Sequence, residues 1–385
     1  MRRAGLPPRW LPSQGTGAEA RRYDARRRAL MRGDIDLTWP QMTELDEFPQ
    51  VPFLFGPDGE NLYDSSAIGA WFAEHPNATT HARALLPDGD PALRFAIRLI
   101  DEALDELGLY MVHHNRWVIA ARDNVAGVTL SRAMRPLMGP AAMGLRALFP
   151  ARQARRLPYL FSVAAPDDAE WNDLPARLRP PARRGFPPTH VLLQECFSDL
   201  LAVLEPLLAS RPFLFGSSFT LGDASVYGEL GMNMADPAAR AWIARDAPVT
   251  EAGVQRIARG EVGVADEDGG GSDGNRLDES VAPLLGWACR CFVPLMQQNL
   301  DAWRRHTEAG ETLFNEKAFN RARALYDGEL CGHPYRSVVK TFQVKVWQAL
   351  RADWEALEVG DRARLEALLP SDHGLGRDAI PTPIA

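Results

Sequence analysis

The stretch from residue 50 to residue 72, QVPFLFGPDGENLYDSSAIGAWF, decides how the fold of this 385-residue chain is interpreted. A short apolar run at 52–55 ends in the turn sequence of 56–59, and a second run follows at 61–63. This pattern predicts a two-stranded hairpin followed by a helix over 66–75. The proline at its start is notable, because proline cannot donate to a sheet ladder and is normally kept at strand ends or edges.

The residues that flank the predicted hairpin indicate a binding site. A cis bond before Pro52 would be a deliberate feature, and it would leave the backbone N–H and C=O of Val51 free to pair with an extended peptide. Asp64 and Ser65 lie where the second strand ends and the helix begins, and a helix N-terminus favours a carboxylate. An acidic side chain beside it suits an ammonium group. The alternative interpretation is a hairpin and a helix with an ordinary N-cap.

This segment resembles the glutathione transferase superfamily, whose thioredoxin-like half carries the pattern VP…DG…L.(E/D)S.AI. The matching residues here are Val51-Pro52, Asp58-Gly59, Leu62, Asp64-Ser65 and Ala67-Ile68. The resemblance implies that Pro52 is a cis-proline, that the Val51 backbone contacts the thiol-bearing residue of glutathione, and that Asp64 and Ser65 hold its γ-glutamyl end.

A second motif supports the same resemblance. Residues 211–227 read RPFLFGSSFTLGDASVY, and Thr220 with Asp223 forms the spacing of a capping box. The superfamily has FL.G…(S/T)(L/I).D at this place in its helical domain. A cap of this kind contributes about 0.5–2 kcal/mol to stability, so we expect these two residues to serve folding rather than chemistry.

The chain is divided by composition into two domains. Residues 1–75 are expected to form an α/β thioredoxin-like glutathione-binding domain, and 76–91 form a linker. Residues 92–385 are expected to form a larger all-α domain of the glutathione transferase C-terminal type, with irregular insertions near 130–188 and 260–278. Its first helix is predicted by apolar residues at 93, 97, 100, 104, 107 and 111.

The N-terminal domain is expected to be incomplete. The family begins with a strand and a helix that carry the Tyr, Ser or Cys that activates the thiol, and we expect this part to lie upstream of residue 1. Ser13 and Tyr23 do not match the position of that residue. The catalytic residue therefore stays unassigned.

Composition limits the class of protein. The formal net charge of −7 argues against a nucleic-acid binder, and the sequence contains no apolar run of about 18 residues that would span a membrane. The four cysteines show neither a disulfide framework nor zinc-ligand spacing, so the sequence predicts a cytoplasmic protein without a metal.

Two further motifs resemble sites for metal binding or redox chemistry. Adjacent histidines such as His113 and His114 diverge by about 100° on a helix and lack a partnering ligand pattern, so polar contacts at a helix end or in a substrate cleft are favoured over metal binding. Cys289 and Cys291 point to different helix faces, which favours packing over redox chemistry.

The function implied by the resemblance is conjugation or reduction of small apolar electrophiles by the thiolate of glutathione, which would be a co-substrate rather than a bound cofactor. Such a protein would transfer alkyl or aryl groups if its N-terminal part is restored, and it would allow a homodimer. The alternative is a catalytically silent protein of the same fold that binds glutathione or a partner protein.

Overall fold

The computed structural model of the protein describes residues 10–46, 52–75, 85–161, 163–166, 168–171, 173–261 and 274–377. Helices dominate this part of the chain. They are α1 (Gly17–Arg32), α2 (Ser65–Glu74), α3 (Pro91–Ala103), α4 (Leu109–His114), α5 (Ala126–Met138), α6 (Leu145–Phe161), α7 (His190–Ser210), α8 (Leu221–Met234), α9 (Pro237–Asp246), α10 (Pro248–Ala258), α11 (Ala282–Cys291), α12 (Val293–Glu308), α13 (Glu316–Asn320), α14 (Thr341–Ala356) and α15 (Val359–Glu366).

The hairpin predicted from the opening stretch is present. Strands β1 (Phe53–Phe55) and β2 (Asn61–Tyr63) pair antiparallel, with Leu54 opposite Leu62. Trp39 lies on the other side of β2 in a single parallel bridge, where its carbonyl accepts the N–H of Tyr63 at 3.1 Å. Within 10–46 and 52–75, extended pairing is confined to these residues, so this region is a small hairpin unit beside α1 and α2.

A small apolar cluster joins this hairpin to α2. Leu62, Ile68 and Phe72 are almost fully buried, and they pack against one another because Ile68 and Phe72 share one face of the helix. Trp39 and Leu54 cover the cluster from the strand side. The core of the hairpin unit thereby fixes the position at which α2 begins.

The helical region begins with one long helix that is interrupted twice by π-helical turns. α3 continues through Leu104–Gly108 into α4, and α4 continues through Asn115–Ile119. The predicted apolar face is buried along its whole length, from Leu93 to Met111. A π turn adds a residue to the helix and is frequent at functional sites.

The main hydrophobic core lies among the helices that follow. It includes residues of α3, α7, α8, α11, α12 and α14, and Trp287, Trp347 and Trp354 are at most 2% exposed. No helix in the described parts of the chain combines the length and the apolar character that crossing a bilayer requires.

The expectation of an all-helical region over 92–385 is wrong at one place. Strands β3 (Leu325–Leu330) and β4 (His333–Val338) form an antiparallel hairpin whose turn is Cys331-Gly332. Tyr335 is fully buried and Tyr326 nearly so, on the face of the hairpin that meets the helices. The hairpin forms because its aromatic and β-branched residues pack against helices distant in sequence.

The expected linker and insertions are described only in part. Residues 76–84 and 262–273 lie outside the described residues, while Leu86, within the second half of the linker, is buried and belongs to the main core. The expectation of an irregular insertion near 130–188 is wrong where α5 and α6 run. Among the described residues between α6 and α7, the short 3₁₀ turn Ala176–Leu178 is the one helical segment.

Candidate functional site

The candidate site lies where the hairpin unit meets the first turn of α2. Val51 and its peptide bond to Pro52 lie outside the described residues. The carbonyl of Pro52 accepts the backbone N–H of Asp64 at 3.2 Å. The structure therefore brings two of the four residues predicted for glutathione binding together across the hairpin.

Asp64 has an uncommon backbone conformation, with φ 71° and ψ 136°. This region favours glycine, and a residue with a side chain held there costs about 1–3 kcal/mol. The Asp64 side chain also serves as the N-cap of α2, since Oδ1 accepts the Ala67 N–H at 2.9 Å. One residue thus combines a strained backbone, a helix cap and a carboxylate.

The two serines that follow connect α2 to the long helix. Ser65 and Ser66 donate from their hydroxyls to Oδ2 of Asp105, at 3.3 Å and 2.9 Å. Asp105 lies in the first π turn of the long helix. Ser65 is exposed at the helix terminus, so its backbone N–H and hydroxyl lie at the surface of the site.

The site is strongly acidic. Burial raises the pKa of Asp64, although the Ala67 N–H and the charge of Lys345 partly offset the effect. Burial, followed by the charge of Asp64, raises the pKa of Asp105 to about 6. Lys345 extends from α14, and its Nζ lies 2.7 Å from Oδ2 of the buried Asp46. The site therefore has two half-buried carboxylates, Asp64 and Asp105, with one lysine close to Asp64.

Glu229 extends the acidic region along α8. Its Oε2 is buried and has no hydrogen-bond partner among the described residues. Burial and the charge of Asp105 raise its pKa well above the ordinary value. Ser225, one turn earlier, donates its hydroxyl to Asp101. The carboxyls of Glu229 and Asp101 are neutralised by protonation more readily than exposed carboxyls, because burial disfavours the charged form.

A second polar cluster surrounds the adjacent histidines. Nδ1 of His113 is bonded to the Leu109 carbonyl at 2.7 Å, and burial lowers the pKa of His113 to about 4. His114 is fully buried, with no partner for Nε2 among the described residues, and burial lowers its pKa to about 3. The His114 ring lies 5.5 Å from that of His190, centroid to centroid. Both adjacent histidines are thus neutral within the helix.

Ser13 and Tyr23, the hydroxyl residues that do not match the family's catalytic position, make contacts away from the candidate site. Ser13 donates to the Trp10 carbonyl at 3.1 Å. Tyr23 packs edge-on against Phe55 at 5.5 Å, and burial raises its pKa. These contacts lie on the α1 side of the hairpin. Neither residue is placed by its contacts at the Asp64–Ser65 site.

Thr220 and Asp223 form the capping box of α8. Asp223 accepts both the backbone N–H and the hydroxyl of Thr220, at 2.9 Å and 2.7 Å, and also the N–H of Leu214 at 2.8 Å. Both residues of the box are buried. This arrangement stabilises the helix start and the preceding loop.

One cluster was not anticipated from the sequence. The sulfurs of Cys196, Cys291 and Cys331 lie within 4.8 Å of one another. Among the His, Cys, Asp and Glu side chains of the described residues, these three form the cluster that could hold a metal ion. Sequence spacing gave no signal for them, because the three residues come from α7, α11 and the β3–β4 turn.

Comparisons with family models, with curated proteins and with solved structures find no match for this chain. Its function is therefore argued from the geometry of its own residues.

Proposed function

We propose that this protein binds glutathione at the N-terminus of α2. Asp64 would bind the ammonium group of the γ-glutamyl end, and the backbone N–H of Ser65, at the start of the helix, would bind its α-carboxylate. The observation that carries the proposal is the conformation of Asp64. A strained backbone holds its carboxylate against the start of a helix, beside the exposed Ser65.

The backbone strain supports a functional role because folding alone does not require it. An N-cap residue normally has an extended backbone, as Asp90 has before α3. Asp64 caps α2 equally well in a sparsely populated region. Strain of this kind clusters at ligand sites, where the surrounding structure holds it in place.

The charge distribution supports an amino-acid head group as the ligand. A carboxylate ligand is stabilised by the positive end of the α2 dipole and by Lys345, while an ammonium group is stabilised by Asp64 and the neighbouring Asp105. A γ-glutamyl group carries both charges on one carbon. The ammonium group of a bound γ-glutamyl group would stabilise the ionised forms of Asp64 and Asp105, and would so compensate for the burial that raises the pKa of both carboxyls.

The chemistry proposed for the bound tripeptide is attack of its thiolate on a small apolar electrophile. A carbon–sulfur bond forms, the leaving group departs with the bonding electron pair, and the thiol proton passes to solvent. In this proposal, a thioredoxin-like N-terminal domain binds glutathione, and the reaction takes place beside the helical region. The alternative, binding without turnover, is supported by the fact that the Ser65 and Ser66 hydroxyls are both occupied as donors to Asp105.

Calorimetric titration of the full chain tests the binding proposal. Glutathione should bind, and cysteinylglycine, which lacks the γ-glutamyl group, should not. Asp64→Asn keeps an N-cap acceptor and removes the charge, so it should weaken glutathione binding at least tenfold. Asp90→Asn, which changes a comparable cap at α3, should leave binding unchanged.

Two outcomes would reject the assignment. If cysteinylglycine binds as tightly as glutathione, Asp64 and Ser65 do not recognise the γ-glutamyl end. If Asp64→Asn and Asp90→Asn weaken binding equally, the effect is a general loss of helix stability. An assay with a generic aryl halide then separates the two functions, since binding without turnover identifies a silent glutathione-binding protein.

A further inference from the structure

We propose that Cys196, Cys291 and Cys331 bind a zinc ion through their three sulfurs, at a site distinct from the glutathione site. The sequence predicted no metal, because ligand spacing gives no sign of it. The structure brings these residues together from three segments: α7, the C-terminal end of α11, and the turn between β3 and β4.

The sulfur separations fit a single metal ion. Sγ of Cys331 lies 3.5 Å from that of Cys291 and 3.9 Å from that of Cys196. Zinc binds thiolate sulfur at about 2.3 Å in a tetrahedral arrangement, which places neighbouring sulfurs about 3.8 Å apart. The cluster is thus close to zinc geometry before an ion is added. A disulfide requires sulfurs at about 2.05 Å, and all three residues are free thiols here.

The backbone of Cys331 gives an independent indication of a ligand. Cys331 and Gly332 form a two-residue turn in which both φ angles are positive, 49° and 77°. Such a turn favours Asn-Gly or Asp-Gly, and a cysteine at its first position is strained. A residue retained where its backbone is unfavourable is typical of a functional site. Packing alone does not explain a cysteine there, because Cys331 is only half-buried.

The other two ligands lie on a rigid base. The indole N–H of Trp287 donates to the carbonyl of Cys196 at 3.0 Å, which joins α11 to α7 one turn before Cys291. Cys196 and Cys291 are at most 1% exposed. A metal site requires ligands held by packing, and two of the three meet this condition.

His333 is the candidate for the fourth position. It follows Cys331 by two residues, and its Nε2 lies 2.7 Å from Oε2 of Glu195, the residue before Cys196. A histidine that binds a metal through one ring nitrogen commonly donates from the other to a carboxylate, which orients the ring.

The chemistry of the ligand set also points to zinc. Thiolate, rather than thiol, is the form that binds metals. Thiolate ligands select zinc and similar soft ions over magnesium or calcium.

Cobalt substitution in the full, reduced chain tests the site without any activity assay. The wild-type protein should bind one Co²⁺ with the near-ultraviolet thiolate-to-cobalt band and the visible bands of tetrahedral coordination, and Zn²⁺ should displace it. Cys289→Ala is the matched control, since Cys289 lies on the same helix outside the cluster. It should behave as wild type.

Cys331→Asn is the decisive variant. Asn-Gly is a preferred sequence for this turn, so the variant should fold at least as well as the wild type while losing one ligand. We expect its zinc affinity to fall by more than about 100-fold, beyond what changes around a metal site usually cost. Zinc should raise the thermal unfolding midpoint of the wild type and of Cys289→Ala, but not that of Cys331→Asn.

Several results would overturn the proposal. The site is not a metal centre if the wild type shows no thiolate–cobalt band, or if Cys331→Asn keeps the band. A disulfide between Cys291 and Cys331 that forms in air while no metal binds under reducing conditions would identify a redox pair instead. His333→Ala should weaken zinc binding about 10–100-fold, and unchanged affinity would exclude His333 as the fourth ligand.

Discussion

The hydroxyl of Ser66 lies 2.9 Å from Oδ2 of Asp105, so the first turn of α2 is joined to the π turn of the long helix. Since Asp105 is half-buried and accepts hydrogen bonds from Ser65 and Ser66 next to Asp64, its ionisation affects both the stability of the protein and the charge of the proposed glutathione site.

Asp105→Asn should remove a pH dependence of stability. Burial raises the pKa of Asp105 from 3.8 to about 6. Between pH 4 and 6 the unfolded chain loses this proton before the folded protein does, so stability falls as the pH rises through that window. At about 1.4 kcal/mol for each pKa unit, the loss approaches about 3 kcal/mol. Relative to the wild type, Asp105→Asn should therefore gain stability between pH 4 and 7.

Urea unfolding at pH 4.5 and pH 7 measures this difference. The exposed variant Asp88→Asn corrects for the loss of one negative charge at the surface. Equal pH trends in wild type and Asp105→Asn would show that Asp105 is ionised as readily in the folded protein as in the unfolded chain.

His114→Gln should have the opposite effect. Burial lowers the pKa of His114 from 6.5 to about 3, so the stability contributed by the neutral ring is present above pH 6.5 and is lost as the pH falls. Between pH 7 and pH 5 the wild type should lose about 2 kcal/mol through this residue. His114→Gln should lose correspondingly less over the same interval.

Thermal unfolding at pH 5, 6 and 7 tests this prediction, with His75→Gln as the control at an exposed histidine. If both variants follow the pH dependence of the wild type, protonation of His114 is accommodated in the folded state, and the buried cluster around it is more polar than its contacts indicate.

Local patterns were sufficient to predict the hairpin and the buried face of the long helix. The hairpin at 52–63 depends on a turn sequence and two short apolar runs that are adjacent in the chain. The buried face from Leu93 to Met111 depends on helical periodicity. The burial of both is decided by neighbours a few residues away, which is why the sequence alone indicates them.

The remaining features depend on contacts distant in the chain. The β3–β4 hairpin was missed because its turn is Cys331-Gly332 rather than a preferred pair, and its strands are stabilised by packing against helices. The thiol cluster was missed for the same reason, since Cys196 and Cys331 are separated by 135 positions. Asp105 was not identified as part of the site, because its contact with Ser65 and Ser66 depends on how α2 packs against the long helix.

Removal of Asp236 should destabilise the protein by about 3–5 kcal/mol, because its buried carboxylate pairs with a partly buried guanidinium. Asp236 is fully buried, its Oδ2 lies 2.6 Å from Nε of Arg116, and its Oδ1 accepts the N–H of Val125 at 2.9 Å. Asp236→Ala leaves Arg116 and the Val125 N–H without this partner. Denaturant unfolding of Asp236→Ala, Arg116→Met and the double variant measures the coupling, and strict additivity would contradict a shared interaction.

Two capping boxes among the described residues allow one motif to be compared at the surface and in the core. Thr16 and Glu19 form an exposed box at α1, whereas Thr220 and Asp223 form a buried box at α8. Thr16→Ala should cost about 0.5–1 kcal/mol, since water replaces the lost hydrogen bonds.

Thr220→Ala should cost about 2–3 kcal/mol, because the buried Asp223 carboxylate loses a donor that water does not replace. Thr220→Ser, which keeps the hydroxyl, should recover most of this loss in denaturant unfolding. If Thr220→Ala and Thr16→Ala cost the same, burial adds nothing to the cap, and the carboxylate of Asp223 is stabilised by its other two hydrogen bonds alone.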